Sequence, residues 1–297
     1  MRRPIHTRIN PDLCTGCGRC VADCPTDALA MQNGKAVVSG TESLGCGHCA
    51  AICPTGAVTV DGIEHVLPRL ATVDLSRPAG EPERPSVASL VRLMAARRSC
   101  RHFDSTPVPR GVLEDLVRIG TLAPSGTNSQ AWTFTVVPDH AAVQKAGRWV
   151  ADFFRRLNRI SGNPLARLVS RELRRYHVDY RDAVIEGLRE YERGGRDRLF
   201  HRAAALILVG SKPGATCPGE DALLATQNIL LAAEAMGLGT CLIGFAVEAM
   251  RHDPPIQRRL GIPSEERIHA VIALGHPVRS YTREAGRKAA DIRWAKA

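Results

Sequence analysis

Cysteine is the residue type that this sequence distributes most unevenly. Of the ten cysteines in its 297 residues, seven fall between residues 14 and 53. A dense framework of disulfide-bonded cysteines is typical of small secreted proteins, but the N-terminal residues lack the apolar segment of a signal peptide. We therefore expect a cytoplasmic protein whose clustered thiols bind metal.

The seven cysteines form two similar runs, and each run ends in a Cys-Pro pair. The runs read Cys14-Thr-Gly-Cys17-Gly-Arg-Cys20-Val-Ala-Asp-Cys24-Pro25 and Ser43-Leu-Gly-Cys46-Gly-His-Cys49-Ala-Ala-Ile-Cys53-Pro54. The first has the C-x₂-C-x₂-C-x₃-C-P spacing of bacterial-type ferredoxins, in which the fourth cysteine ligates the other of two iron–sulfur clusters. A zinc site takes its four ligands in two pairs, which this triplet fits poorly. The spacing predicts iron–sulfur clusters.

Cross-ligation between the runs assigns the ligands of each cluster and leaves one position short. Cluster one takes Cys14, Cys17, Cys20 and Cys53, whereas cluster two takes Cys24, Cys46 and Cys49 with Ser43 where a fourth thiolate should be. The second site therefore holds a labile [4Fe–4S] cube, a [3Fe–4S] centre or no cluster. We expect the labile cube, because its three cysteines and the proline turn are kept. His48 is expected to face solvent, and Cys100, Cys217 and Cys241 to be packed or free thiols.

A second group of residues has the chemistry needed to hold an anionic, aromatic cofactor. Arginine binds phosphate through a planar fork of donors, and three arginines lie close together in Arg97-Arg98-Ser99-Cys100-Arg101-His102-Phe103. The neutral amides of Asn128 and Gln130 both donate and accept. Each segment has an ordinary alternative, since an Arg pair often caps a helix and a Pro-Ser-Gly-Thr-Asn run is usually a turn.

Taken in order, these segments resemble the FMN-dependent nitroreductase family. The first resembles its R-R-S-x-R-x-F motif, and Ala123-Pro124-Ser125-Gly126-Thr127-Asn128-Ser129-Gln130-Ala131-Trp132 resembles its A-P-S-x-x-N-x-Q-P-W loop except at Ala131. The segments 234–239 and 243–245 resemble the family's central helix and next strand. Gly275-His276-Pro277 with Arg287-Lys288 resembles the C-terminal G-Y-P…R-K segment, with His276 in place of tyrosine. The resemblance covers nearly all of residues 86–297, and the N-terminal module matches the family's ferredoxin-fused branch.

The resemblance implies an α+β fold, a central sheet flanked by helices that binds FMN at the interface of a homodimer. It implies cofactor-binding roles for Arg97, Arg98, Ser99, Arg101, Pro124, Ser125, Asn128, Gln130, Gly244 and Arg287. We expect the arginines at the phosphate and ring edge, the two amides at the ring edge, and backbone approach at the Pro124–Gly126 loop and on a strand at Gly244. No residue is assigned as a catalytic acid.

The elements that position these residues follow from the patterning. We expect a small ferredoxin domain over 1–66, a Pro-rich linker over 67–85 and the flavin domain over 86–297. In the last, Ser86 and Pro109 begin helices, and 221–236 is a buried central helix. Strands are expected at 132–137, 204–209, 240–245 and 268–274. The Arg-rich segment 148–202, with 14 arginines and eight acids, is expected to be a helical insert with a largely solvated face.

Composition restricts the function classes. The formal net charge of +10 resides entirely outside residues 1–66, and it fits an acidic or anionic partner. Aromatic residues make up only 4% of the chain, which argues against a base-stacking nucleic-acid surface, and no apolar run is long enough to span a membrane. We expect an oxidoreductase that passes electrons from iron–sulfur clusters to FMN and on to a nitroaromatic, a quinone or an activated double bond.

The electron donor is expected to be a reduced ferredoxin or NAD(P)H. Two other classes of protein stay open. One is a redox sensor that uses cluster and flavin to control a partner. The other is a basic iron–sulfur protein that binds nucleic acid, which would leave the FMN segments without a role.

Overall fold

A computed structural model describes residues 3–63, 67–75, 86–283 and 285–295. In its N-terminal module, short strands pair in three antiparallel ladders around two single-turn helices. The elements are β1 (Arg3–Pro4), β2 (Thr7–Ile9), α1 (Arg19–Ala22), β3 (Leu29–Gln32), β4 (Lys35–Val38), β5 (Glu42–Ser43), α2 (His48–Ala51) and β6 (Val58–Val60). β1 pairs with β5, β2 with β6 and β3 with β4.

The two halves of this module repeat one conformation. Gly18 precedes α1 with φ 70° and Gly47 precedes α2 with φ 77°, a left-handed conformation that glycine adopts without steric cost. After each helix a Cys-Pro turn leads into a strand. The predicted internal repeat therefore corresponds to two similar loops that bring their cysteines together.

The larger domain is a four-stranded antiparallel sheet with helices on both faces. The strands are β7 (Trp132–Val137), β8 (Ala205–Ser211), β9 (Gly239–Leu242) and β10 (Arg267–Gly275), in the order β7-β8-β10-β9. The helices are α3 (Val87–Ala96), α4 (Arg110–Gly120), α5 (His140–Gly162), α6 (Pro164–Val169), α7 (Arg171–Asp179), α8 (Arg181–Glu192), α9 (Pro218–Ala235), α10 (Gly244–His252) and α11 (Pro254–Arg259). Among the described helices, none is both long and apolar enough to cross a membrane.

Alternate residues of the buried strand β8 supply the two hydrophobic cores. Leu206 and Leu208 pack into the core shared with α5 and α10. Ile207 and Val209 pack into the core shared with α4 and α9. The period-two alternation of a strand thus sends its side chains to both faces of the sheet, which explains why the sequence of β8 is apolar throughout.

Two of the predicted elements differ from the structure. The strand predicted over 240–245 ends at Leu242, because the chain leaves the sheet once the Ile243 amide has donated to the carbonyl of Val271. Gly244 begins a helix instead of lying on a strand. The central helix begins at Pro218 rather than Asp221, since proline is well suited to a first helical turn, and its Leu223 and Leu224 remain about half exposed.

The apolar positions of α3 also stay exposed. Ser86 caps this helix as predicted by accepting from the Ser89 amide at 3.1 Å. Val87, Leu90, Val91 and Met94 nevertheless face outward, and Val91 is 55% exposed. Leu223 and Leu224 of α9, which contacts α3, are exposed as well, and we call these six apolar side chains the α3–α9 face. Large exposed apolar patches are a common feature of protein interaction sites.

The described part of the predicted linker, residues 67–75, is held against α4 by one carboxylate. Asp115, whose side chain is fully buried, accepts from the Ala71 amide, the Thr72 amide and the Thr72 hydroxyl, each at 2.7 Å. Burial raises the pKa of Asp115, but these hydrogen bonds and Arg118 together lower it by more than burial raises it. The pKa of Asp115 therefore lies below its usual value. Residues 76–85 and the proposed boundary at 66 lie outside the described residues.

We expect Asp115→Ala to lower the free energy of unfolding by about 2–4 kcal/mol, the usual cost of breaking a buried hydrogen-bond network. Because the folded-state pKa is depressed, the ionised group stabilises the fold above its unfolded pKa of about 3.9, and this contribution disappears as the pH falls through the folded-state value. Urea unfolding at pH 7 and below pH 4 measures both effects. Glu114→Ala, on the exposed side of α4, is the control and should cost under about 1 kcal/mol.

Candidate functional site

Six of the seven cysteines of the N-terminal module lie near the partners that cross-ligation would give them. Beyond the effect of burial, the thiolates of Cys53 and Cys14 raise the pKa of Cys20 by repulsion. Those of Cys46 and Cys24 raise the pKa of Cys49 in the same way. The thiols of each group are therefore neighbours, whereas no three Cys, His, Asp or Glu of the described residues come close enough to hold a single metal ion.

The donors around these thiols suit an iron–sulfur cluster. Cys24 Sγ accepts from the Ala28 amide at 3.4 Å and Cys53 Sγ from the Ala57 amide at 3.3 Å. Burial raises the pKa of both thiols, but hydrogen bonds from Thr26 and Thr55 and from the following amides bring it below its usual value. Hydrogen bonds to the sulfurs are among the interactions that tune such clusters, and the thiolate is the form that binds iron.

Ser43 lies beside the second group of cysteines. It is buried at the end of β5 and lines one small cavity with Cys24, Cys46 and Cys49. Its Oγ accepts from the Gly45 amide at 3.2 Å. Ser43 thus borders the same cavity as the three cysteines, whereas His48 is two-thirds exposed beside Asp23.

The arginine segment 97–103 is fixed at one end of the large sheet. The Cys100 amide donates to the Thr240 carbonyl at 2.8 Å, and Phe103 pairs with Pro277 on the other side. A Cβ on Gly239 would lie 2.7 Å from Cys100 Sγ, so the segment can approach β9 only because glycine is there. Arg101 is exposed, and its charge helps burial to lower the pKa of His201.

Two of the predicted phosphate ligands have other partners. The Arg98 guanidinium lies 4.4 Å from the Tyr281 ring centroid and donates to the Arg283 carbonyl. Arg287 donates to the carbonyls of Ala285 at 3.0 Å and Gly286 at 3.1 Å. The Arg98 guanidinium therefore contacts the C-terminal segment at Tyr281 and Arg283, whereas Arg287 binds carbonyls of its own segment.

The loop of residues 124–130 is held by an acid that the sequence analysis did not single out. Asp221, at the start of α9 and 3% exposed, accepts from the Gly126 amide at 2.8 Å and the Ser129 hydroxyl at 3.0 Å. Thr127, Asn128 and Gln130 all have positive φ, between 46° and 52°. Such strain is stored preferentially at functional sites, and here the buried carboxylate supports it.

The loop and the arginine segment lie far apart within one chain. The loop runs into Trp132, which is in register with Ser211 and through it with Arg267, at the first end of β10. The arginine segment bridges to Thr240, in register with Leu274 near the other end. The two rows are six residues of β8 apart, because β10 has a bulge between Ile268 and Ala270. The separation is therefore roughly 20 Å at about 3.3 Å a residue, and the segments border opposite edges of the sheet.

The loop instead contacts the N-terminal module of its own chain. The Asn128 side-chain amide donates to the Gly45 carbonyl at 2.9 Å. The Arg3 guanidinium donates to the carbonyls of Asn128 at 2.8 Å and Thr127 at 3.4 Å. Gly45 directly precedes Cys46, so this contact joins the loop to the second cysteine group.

Gly244 lies on the same side of the domain as the arginine segment. It follows β9 and is the first residue of α10, and the position of its absent Cβ has no atom within 4 Å. The next residue, Phe245, packs edge-on against Phe154 and Tyr180. Tyr176, whose pKa burial raises to about 12, stacks between those two rings. The helical insert thus packs beside Phe245, whereas Gly244 itself stays exposed.

Comparisons with known proteins agree with this architecture. A family model described as "Nitroreductase family" matches residues 94–276, and one described as "4Fe-4S dicluster domain" matches residues 6–54. A nitroreductase with bound FMN from Desulfitobacterium hafniense superposes with a TM-score of 0.52, at 23% identity, over 69% of this chain and 97% of its own. One from Bacteroides fragilis gives 0.50, at 23% identity, over 70% and 98%.

Two relatives are similar in sequence as well. One is an "NADH dehydrogenase" of Thermus thermophilus, 29% identical over 182 residues, which are 61% of this chain and 83% of that protein. Another is an "Iodotyrosine deiodinase" of Thermotoga neapolitana, 27% identical over 195 residues, 63% of this chain and 88% of the relative. Since the family match covers more than half of the chain, the protein belongs to the nitroreductase family and carries a 4Fe-4S dicluster domain ahead of its nitroreductase domain.

Proposed function

We propose that this protein is an FMN-dependent oxidoreductase that takes electrons in at its iron–sulfur clusters and delivers them to a small organic acceptor. The observation that carries the proposal is the bond between Asn128 and Gly45, which joins a predicted flavin loop to a predicted cluster loop. Iron–sulfur clusters carry single electrons, and FMN supplies the conversion between one-electron and two-electron chemistry.

The residues present fit FMN at the arginine end of the sheet. Arg97, Ser99 and Arg101 would hold the phosphate and the charged ring edge, because guanidinium forks match phosphate oxygens. The first amides of a helix have no intrahelical acceptor, so the start of α10 at Gly244 presents donors beside an open space. Arg98 would act by holding the C-terminal segment, which brings Arg287 to the site as a further cation.

The ring-edge groups would come from a second copy of the chain. Pro124, Ser125, Asn128 and Gln130 are about 20 Å from the arginine segment along the sheet and border its opposite edge, so we propose that the two sets at one flavin come from different chains. We propose the α3–α9 face as the surface of association, since its apolar side chains are exposed. We therefore propose a homodimer with two flavin sites, each built from both chains.

The donor and the acceptor follow from the chemistry of the site. A reduced ferredoxin would deliver single electrons to the clusters and NAD(P)H would deliver hydride. We favour the ferredoxin because a flavin that accepts hydride needs no cluster. Acceptors would be nitroaromatics, quinones or activated double bonds, and the aromatic insert beside Gly244 would shape their pocket.

The flavin should be FMN rather than FAD. The chain supplies one phosphate-binding set, and the sequence contains no G-x-G-x-x-G segment for an adenine dinucleotide. Heat-released flavin should elute as FMN on a calibrated column, with Arg101→Met reducing its amount per chain. Arg159→Met, an exposed position of α5, is the control and should leave it unchanged. Recovery of FAD, or of no flavin from the wild-type protein, would contradict the proposal.

A further inference from the structure

We propose that the clusters of each chain reduce the flavin held by the arginine segment of the other chain, so that electrons cross the dimer. This inference rests on the proposed function. The carrying observation is that one loop, residues 124–130, contacts the cluster module of its own chain while lying at the far end of the sheet from that chain's arginine segment.

The loop and the arginine segment of one chain are far apart by two measures. Besides the distance along the sheet, the length of helix α9 gives an independent one. It begins beside the loop, where Asp221 binds the Gly126 amide, and it ends at Ala235. Gly239, four residues later, begins β9 beside Cys100. The 18 residues of α9 span about 27 Å at 1.5 Å each. The loop therefore cannot reach its own chain's Arg97 and Arg101.

The N-terminal module is bound to the loop of its own chain. Arg3 and Asn128 together form hydrogen bonds that link β1 and the Gly45 turn to the loop. Gly45 directly precedes Cys46, a cysteine of the second group. Of the two predicted clusters, cluster two is the one whose ligands border the loop, and its cavity includes Ser43, Gly45 and Cys49.

When the loop of one copy completes the flavin site of the other, it places cluster two of its own module beside that flavin. A reduced ferredoxin would give one electron to that module. Cluster two, once reduced, would be oxidised again as it gives this electron to the flavin. Two such transfers and one proton from solvent convert FMN to FMNH⁻. Arg3 is then a positioning residue for the transfer.

Mixed dimers with two different affinity tags test the direction of transfer. One chain type carries Cys46→Ala and Cys49→Ala, which remove cluster two. The other carries Arg97→Gln and Arg101→Gln, which remove the flavin. The readout is bleaching of the bound flavin by reduced ferredoxin without any acceptor, together with FMN content. The cluster-deficient homodimer supplies the background rate of direct reduction.

Transfer across the dimer predicts that the split dimer, with one defect on each chain, bleaches its single flavin at the wild-type rate. A dimer of a wild-type chain and a chain with both defects should bleach only at the background rate. The opposite pair of results would overturn the inference while leaving the proposed function intact. A wild-type dimer that bleaches no faster than the cluster-deficient one would overturn both.

A second variant guards against misfolding of the cysteine variants. In the split dimer, Arg3→Met on the chain that keeps its clusters should slow bleaching about tenfold, the equivalent of one charge-assisted hydrogen bond, with FMN content unchanged. On the chain that holds the flavin it should have no effect. Arg8→Met, which removes an ion pair with Asp61 in the same module, is the control. Equal slowing from Arg3→Met on either chain would contradict transfer across the dimer.

Discussion

Val91→Glu is expected to give a monomer that holds no flavin. Val91 is one of the exposed apolar residues of the α3–α9 face, and the proposed dimer would bury it against apolar side chains. An unpaired carboxylate buried there costs several kcal/mol, and every 1.4 kcal/mol is tenfold in Kd, so the dimer Kd should rise on the order of a thousandfold. Sedimentation measures the loss of dimer, and flavin absorbance measures the loss of FMN.

The loss of flavin is the stronger part of this prediction, because Val91 is on a helix face and touches neither predicted half of the cofactor site. Val38→Glu places the same charge on an exposed valine of the N-terminal module and should leave both mass and flavin content unchanged. A Val91→Glu monomer with full FMN would show that one chain is sufficient. That result would also remove the basis for electron transfer across the dimer.

The elements of this fold were predictable wherever local pattern decides the structure. The strand 132–137 has the bounds that its alternating apolar sequence predicts, and the cap at Ser86 follows from side-chain chemistry. The prediction of a strand over residues 240–245 was wrong at its end. Phe245 continues the apolar pattern, but the sheet supplies no backbone partner in the described structure after Ile243. The apolar side chains of α3 and α9 predict burial correctly only if a second molecule covers them.

The candidate site was predictable in its residue types but not in its long-range contacts. Asp221 reads in the sequence as an acid in the first turn of a helix, where the dipole favours it. Its role in fixing Gly126, 95 positions earlier, depends on the tertiary fold. The same is true of Arg3, whose side chain donates to backbone carbonyls of the loop, and of Gly45, whose own carbonyl accepts from Asn128. Contacts to backbone carbonyls leave no signal in the sequence. For Arg98, the contact with Tyr281 could have been suspected only from the aromatic ring nearby in the C-terminal segment.

Ser43 carries the other large expected effect. The hydroxyl lines the cavity of Cys24, Cys46 and Cys49, but a serine ligates iron poorly unless it is deprotonated, and here its Oγ accepts from the Gly45 amide. Cluster two should therefore form with one weakly held iron. Anaerobic protein should contain about eight irons per chain, as two four-iron clusters require. Mild exposure to oxygen should then produce a three-iron paramagnetic signal before cluster one is damaged.

Ser43→Cys should suppress that three-iron signal, because a fourth thiolate holds the labile iron. Ser39→Cys is the control, since Ser39 is exposed in the same module and bonds to the Asp27 carbonyl, away from the cavity. About four irons per chain with no three-iron signal would reject a second cluster. Because cluster two borders the loop through Gly45, it is the last cluster before the flavin in the proposed path. Ser43 therefore determines whether that cluster stays intact. Loss of one iron there should stop flavin bleaching by reduced ferredoxin while FMN stays bound, whereas Ser43→Cys should preserve bleaching after the same exposure to oxygen.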